Sequence, residues 1–135
     1  MKTHILSIVL LLPLSIFCQQ AVTLEEIKLA SVHYMSVQNP HRQPYVLSDI
    51  DTISYLSGTY GIAIYETLFE DGNTVLLSGS KACIPILEHN LSGKRESVVL
   101  DDDVPYGLLA LLNDMVVEID SCLINDTITL YYAEE

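Results

Sequence analysis

A run of short strand-like segments between residues 50 and 90 is the feature that most constrains the fold of this chain. Each segment is rich in apolar or β-branched residues, and turn-forming residues such as Ser57-Gly58 and Glu70–Asn73 separate them. Strands joined by such short connections pair in antiparallel fashion, so the sequence predicts an antiparallel sheet. Four segments have this character: Ile50–Leu56, Gly61–Thr67, Thr74–Ser78 and Ile84–Glu88.

Helical patterns lie on both sides of these segments. Thr23–Glu26 matches a capping box, and apolar residues at helical spacing after it predict a helix over about 23–37. A second apolar face, with Pro105 in its first turn, predicts a helix over about 105–120. Asn125-Asp126 predicts a turn into a last strand, Thr127–Tyr132. The predicted fold class is therefore α+β, with an antiparallel sheet of about four to five strands packed with two helices.

The N-terminus has the pattern of a secretory signal. Lys2 precedes an apolar run, Ile5–Phe17, which is too short to span a bilayer as a helix. Leu14–Cys18 resembles a loose bacterial lipoprotein box, so two processing routes stay open, lipidation of Cys18 and ordinary cleavage nearby. We expect residues 1–18 to be a signal peptide, residues 19–135 to be one exported domain, and any membrane attachment to occur only through lipid on Cys18.

Charge excludes several classes of partner. The 135 residues carry 6 Lys and Arg against 18 Asp and Glu, a net charge of −12, and loss of Lys2 with the signal changes this to −13. Nucleic-acid binders present basic stripes and membrane-surface proteins present polybasic segments, and the sequence has neither. A charged partner of this domain should therefore be basic.

The sequence predicts neither an enzyme nor a cofactor or metal site. Strand alternation would place Cys83 and His89 on one face, but no glycine-rich segment frames Cys83, so a core thiol and a histidine at a strand end are the simpler interpretation. Zinc motifs are absent, and Asp101–Asp103 lacks the alternating spacing of a calcium loop. For Cys83 and Cys122 two interpretations stay open: one disulfide, in the oxidising compartment that export implies, or two buried free thiols.

Two segments resemble the prosegment of streptopain-like cysteine peptidases. Ile64–Thr67 and Val75–Gly93 follow the family patterns LYVFNF and GFVIVSGDDRAxPVLGYSDxG, and Pro105–Ile119 resembles the proline-preceded amphipathic helix that closes the prosegment. The resemblance covers about residues 23–120. It departs at Ser80-Lys81, where the family has Asp-Asp, and at Glu88-His89, where the family has Gly-Tyr.

The same domain occurs in free-standing, Spi-type inhibitors, and the 135 residues contain no segment with the family's catalytic Cys or His. The resemblance therefore implies an inhibitor, with a streptopain-like peptidase as the partner, rather than a zymogen. In the family, the stretch leading into the last helix obstructs the peptidase active-site cleft. By position it corresponds here to Asp103, Val104, Pro105, Tyr106 and Gly107, hereafter the 103–107 segment, and Asp101 and Asp102 would add charge at the interface.

Two other classes of function remain open from the sequence. A non-inhibitory binding module, at the cell surface or in the periplasm, would fit if Cys18 is lipidated. A Cys83-dependent enzyme would require a reactive thiol in the folded chain.

Overall fold

A computed structural model of the chain describes residues 21–100 and 103–133. These described residues form two α-helices and four β-strands. In chain order these are α1 (Leu24–Gln38), β1 (Ile50–Ser57), β2 (Ile62–Phe69), β3 (Thr74–Ser78), β4 (Ile86–Asn90) and α2 (Tyr106–Ala133), with a 3-10 turn (Leu47–Asp49) before β1. The predicted α+β class is confirmed. The predicted signal peptide and Cys18 lie outside the described residues.

The four strands form one antiparallel sheet in the order β1-β2-β3-β4, so that each strand pairs with its neighbour in sequence. Tyr65 in β2 lies opposite Tyr55 in β1 and Leu77 in β3, and Val75 in β3 lies opposite His89 in β4. β4 begins two residues later than predicted, directly after Pro85. Pro85 has no N–H for the sheet, but its carbonyl accepts a 2.9 Å bond from the Ser78 N–H.

α1 covers one face of the sheet. It begins as predicted, because the Thr23 hydroxyl accepts from the Glu26 N–H at 3.2 Å while the Glu26 carboxylate accepts from the Thr23 N–H at 2.9 Å. Its buried residues Ile27 and Met35 pack in one apolar cluster, whose other members are Tyr45, Tyr65, Phe69, Val75 and Leu77.

α2 covers the opposite face. Leu112 and Ile119 pack with Ile64 and Leu76, which alternate along their strands with the residues that face α1. The two central strands are therefore covered on both sides, and β2 is buried continuously from Ala63 to Phe69.

The predicted turn at Asn125-Asp126 and the predicted strand Thr127–Tyr132 are wrong, because α2 continues through both to Ala133. The apolar face of the helix extends beyond residue 120 to Leu123, which is buried, so packing favours another helical turn where the sequence pattern indicated a stop. Asn, Asp, Ile and Thr each cost well under about 1 kcal/mol in a helix. No Gly or Pro occurs between Leu108 and Ala133 to end it.

Over the described ranges, the structure contains no helix with the length and apolar character needed to cross a bilayer.

Candidate functional site

The 103–107 segment lies where the chain enters α2. Asp103, Pro105 and Gly107 are exposed and Val104 is half-buried. Pro105 stands directly before the helix rather than inside its first turn, and its carbonyl accepts a 3.0 Å bond from the Leu109 N–H. Asp101 and Asp102, the other two acidic residues predicted at this interface, lie outside the described residues.

Tyr106 projects from the first residue of α2 into solvent. Its side chain is 86% exposed, the largest value among the exposed large hydrophobic residues in the described part of the chain. The neighbouring Gly107 also faces open space, since a Cβ at this position would meet no atom within 4 Å. The first turn of α2 therefore exposes one large aromatic ring to solvent.

A buried carboxylate positions the chain just before this segment. Glu66 in β2 is only 2% exposed, and it accepts hydrogen bonds from the Ser97 hydroxyl and, at 2.8 Å, from the Val98 N–H. The Ser97 oxygen in turn accepts from the Leu100 N–H at 2.9 Å. Glu66 thus fixes a turn at Val98–Leu100 against the face of the sheet that α2 covers.

Glu66 was not predicted as a functional residue. The signal that could have identified it is a single acidic side chain in the otherwise largely apolar strand β2, on the same face as Ile64 and Leu68. Burial of a carboxylate requires compensating donors, so such a position indicates a polar contact with another part of the chain.

An acidic groove of about 210 Å³ lies between β4, the 96–98 stretch and the start of α2. Three carboxylates line it, from Glu66, Glu88 and Glu96, and Leu108 closes it on the helix side. No Lys or Arg side chain is among its lining residues. The groove therefore presents negative charge two residues from Tyr106.

A second groove, of about 390 Å³, lies on the α1 side of the sheet and is mainly apolar. It is bordered by α1 and the first two strands, and Tyr55, which is 58% exposed, lies on its rim. Tyr55 and Tyr106 therefore mark two different faces of the molecule.

The structure brings Cys83 and Cys122 together but separates Cys83 from His89. The sulfurs of Cys83 and Cys122 are 3.3 Å apart, and both thiols are free. His89 instead contacts α1, where its Nδ1 lies 2.9 Å from the Tyr34 hydroxyl. The expectation that Cys83 and His89 share a face is wrong, because Cys83 precedes β4 and strand alternation does not extend to it.

Within residues 21–100 and 103–133, no cluster of three or more His, Cys, Asp or Glu side chains could hold a metal ion. The arrangement at the start of α2 offers recognition chemistry instead, with an aromatic ring, a stiff proline and a set of carboxylates.

No protein-family model, curated protein or solved structure matches this chain.

Proposed function

We propose that the chain is an exported protein inhibitor of streptopain-like cysteine peptidases that blocks the active-site cleft without forming a covalent bond. The proposal joins the resemblance of Ile64–Thr67 and Val75–Gly93 to the peptidase prosegment with the geometry at the start of α2. It requires neither a catalytic residue nor a cofactor.

The observation that carries the proposal is the 86% exposure of Tyr106 directly after Pro105. Tyrosine side chains are enriched among the residues that dominate protein interfaces, because they bury a large apolar area and keep a polar hydroxyl. A proline before the ring limits the backbone conformations that binding would otherwise have to restrict. The 103–107 segment therefore has the properties of a preorganised contact.

Contacts hold the chain before this segment and the helix after it. Glu66 fixes the chain before it through Ser97 and Val98, and α2 is held on the sheet by the buried side chains of Leu112 and Ile119. A contact residue that is already held in place loses less conformational entropy on binding, which favours affinity.

The start of α2 is also poorly suited to being cleaved. Peptidases bind the residues around the bond they cut as an extended strand, but the Pro105 carbonyl and the Leu109 N–H are already paired in the first helical turn. A helix end that enters the cleft would fill it without offering an extended backbone. This geometry favours blocking of the cleft over cleavage of the chain by the peptidase.

Charge complements this mechanism. Glu88, Glu96 and the exposed Asp103 lie around the start of α2, on a chain with a net charge of −12. A basic rim on the peptidase would attract this surface, which raises the association rate more than it strengthens the final complex.

The experiment that tests this assignment compares inhibition constants of variants against a streptopain-like cysteine peptidase. The double variant Tyr106→Ala with Pro105→Gly should raise the inhibition constant by at least about 10-fold, or ~1.4 kcal/mol, because it removes the aromatic contact and loosens its backbone.

The matched control is Tyr55→Ala, which removes another exposed tyrosine, on the α1 side of the sheet. It should leave the inhibition constant unchanged, and circular dichroism should show that all variants stay folded. If the double variant inhibits as well as the unaltered chain, the 103–107 segment is not the contact.

A further inference from the structure

The two described cysteines come from distant parts of the chain and meet at one point of the fold. Cys83 lies in the connection between β3 and β4, where its N–H donates to the Ser80 carbonyl at 3.3 Å, and Cys122 lies on α2. Their sulfurs are 3.3 Å apart, although 39 positions separate them in sequence. Folding therefore places two thiols in direct contact.

The contact is close to what a disulfide requires. The sulfur atoms of a disulfide are about 2.05 Å apart, so the two sulfurs would have to approach by about 1.3 Å. Cys83 lies in a loop connection rather than in a strand, and small rotations about its side-chain bonds and those of Cys122 can supply this movement.

Neither cysteine is sealed in the core. Cys83 and Cys122 are each half-buried, so the pair lies near the surface of the domain. The hydrogen bond with Cys83, together with burial, raises the pKa of the Cys122 thiol above its ordinary value.

We propose that Cys83 and Cys122 form a reversible intramolecular disulfide that ties α2 to the β3–β4 connection, by exchange with a low-molecular-weight disulfide. The thiolate of one of the two cysteines attacks one sulfur of that disulfide and releases one small thiol. The thiolate of the other cysteine then attacks the protein sulfur of the mixed disulfide and releases the second. Two protein thiols are oxidised, one small disulfide is reduced to two thiols, and the two protons leave with them.

This inference does not depend on the proposed inhibition. It concerns the attachment of α2 to the sheet, whatever the partner of the domain. A disulfide across these positions closes a long loop and removes conformations from the unfolded chain, so oxidation should stabilise the fold.

The test uses the full chain with Cys18→Ser, which leaves Cys83 and Cys122 as the two remaining cysteines of three. The folded protein is incubated with oxidised glutathione, and thiols are then titrated in denaturant. We expect both thiols to disappear, with a mass loss of two hydrogen atoms, no bound glutathione and a crosslinked peptide pair containing the two cysteines. The oxidised protein should melt roughly 10 °C or more above the reduced one.

Cys83→Ser and Cys122→Ser in the same background are the matched controls, and each should keep one thiol or take up one glutathione without a gain in melting temperature. The crosslink is mapped on the chain with both cysteines, so the test does not require the serine variants to fold. Two persisting thiols, a glutathione on each cysteine, or disulfide-linked dimers would each overturn the proposal.

Discussion

Glu66 shows how one buried residue can fix the path of the chain before α2. Its carboxylate is almost completely buried, and its two hydrogen-bond donors come from Ser97 and Val98, more than 30 positions later in the chain. Strand alternation predicts the face on which Glu66 lies. It cannot predict the partners, because they depend on how the chain returns over the sheet after β4.

The contribution of Glu66 can be measured by substitution. Glu66→Ala should lower the free energy of unfolding by about 1–3 kcal/mol, because it leaves two half-buried donors without a charged acceptor. Glu66→Gln keeps one acceptor oxygen and should lower the free energy of unfolding by less than Glu66→Ala does. Urea denaturation measures both changes.

Glu88→Gln is the control for this prediction, since Glu88 is an exposed carboxylate that lines the same groove. It should change the free energy of unfolding by less than about 0.5 kcal/mol. Equal effects of Glu66→Ala and Glu88→Gln would mean that the hydrogen bonds of Glu66 contribute nothing to the free energy of unfolding.

At the scale of elements, α1 and the strands were predictable and the end of α2 was not. The capping box at Thr23 and Glu26 is a local signal, so it predicts the start of α1 within one residue. The residues after 120 carry local turn and strand preferences of a few tenths of a kcal/mol each. Burial of Leu123 against the rest of the fold favours the helix over those preferences. This burial depends on tertiary packing, so it cannot be deduced from the local sequence.

α2 is also joined to the sheet by a polar contact that local patterns do not reveal. The Asp120 carboxylate accepts from the Thr59 N–H at 2.9 Å and from the Tyr60 N–H at 2.8 Å, in the turn between β1 and β2. The approach is so close that a Cβ at position 58 would lie 2.4 Å from an Asp120 oxygen, so any other residue there would displace the Asp120 side chain.

Asp120→Ala should therefore lower the free energy of unfolding by about 1–3 kcal/mol, because two backbone donors lose a charged acceptor. Thermal or urea denaturation measures the change. Asp114→Ala removes an exposed aspartate from the same helix and should have an effect below about 0.5 kcal/mol. A loss in Asp120→Ala no larger than in Asp114→Ala would contradict a docking role for Asp120.

At the scale of the whole molecule, the sequence predicted the two helices and the antiparallel sheet but not that the helices cover opposite faces. That arrangement explains why β2 is buried from Ala63 to Phe69 and why the chain returns over Glu66 before entering α2. The 103–107 segment was predicted from its proline and from the family resemblance, and its role as a contact stays a prediction. The acidic groove beside it could not be predicted, because Glu66, Glu88 and Glu96 come from three separate stretches of chain.

The most direct measurement titrates a purified streptopain-like cysteine peptidase with the protein while cleavage of a small peptide substrate is followed. If the start of α2 occupies the active-site cleft, activity should fall progressively to near zero. The inhibition should also weaken as substrate concentration rises, because substrate and inhibitor compete for one cleft. Undiminished activity at a micromolar excess of the protein would contradict the account.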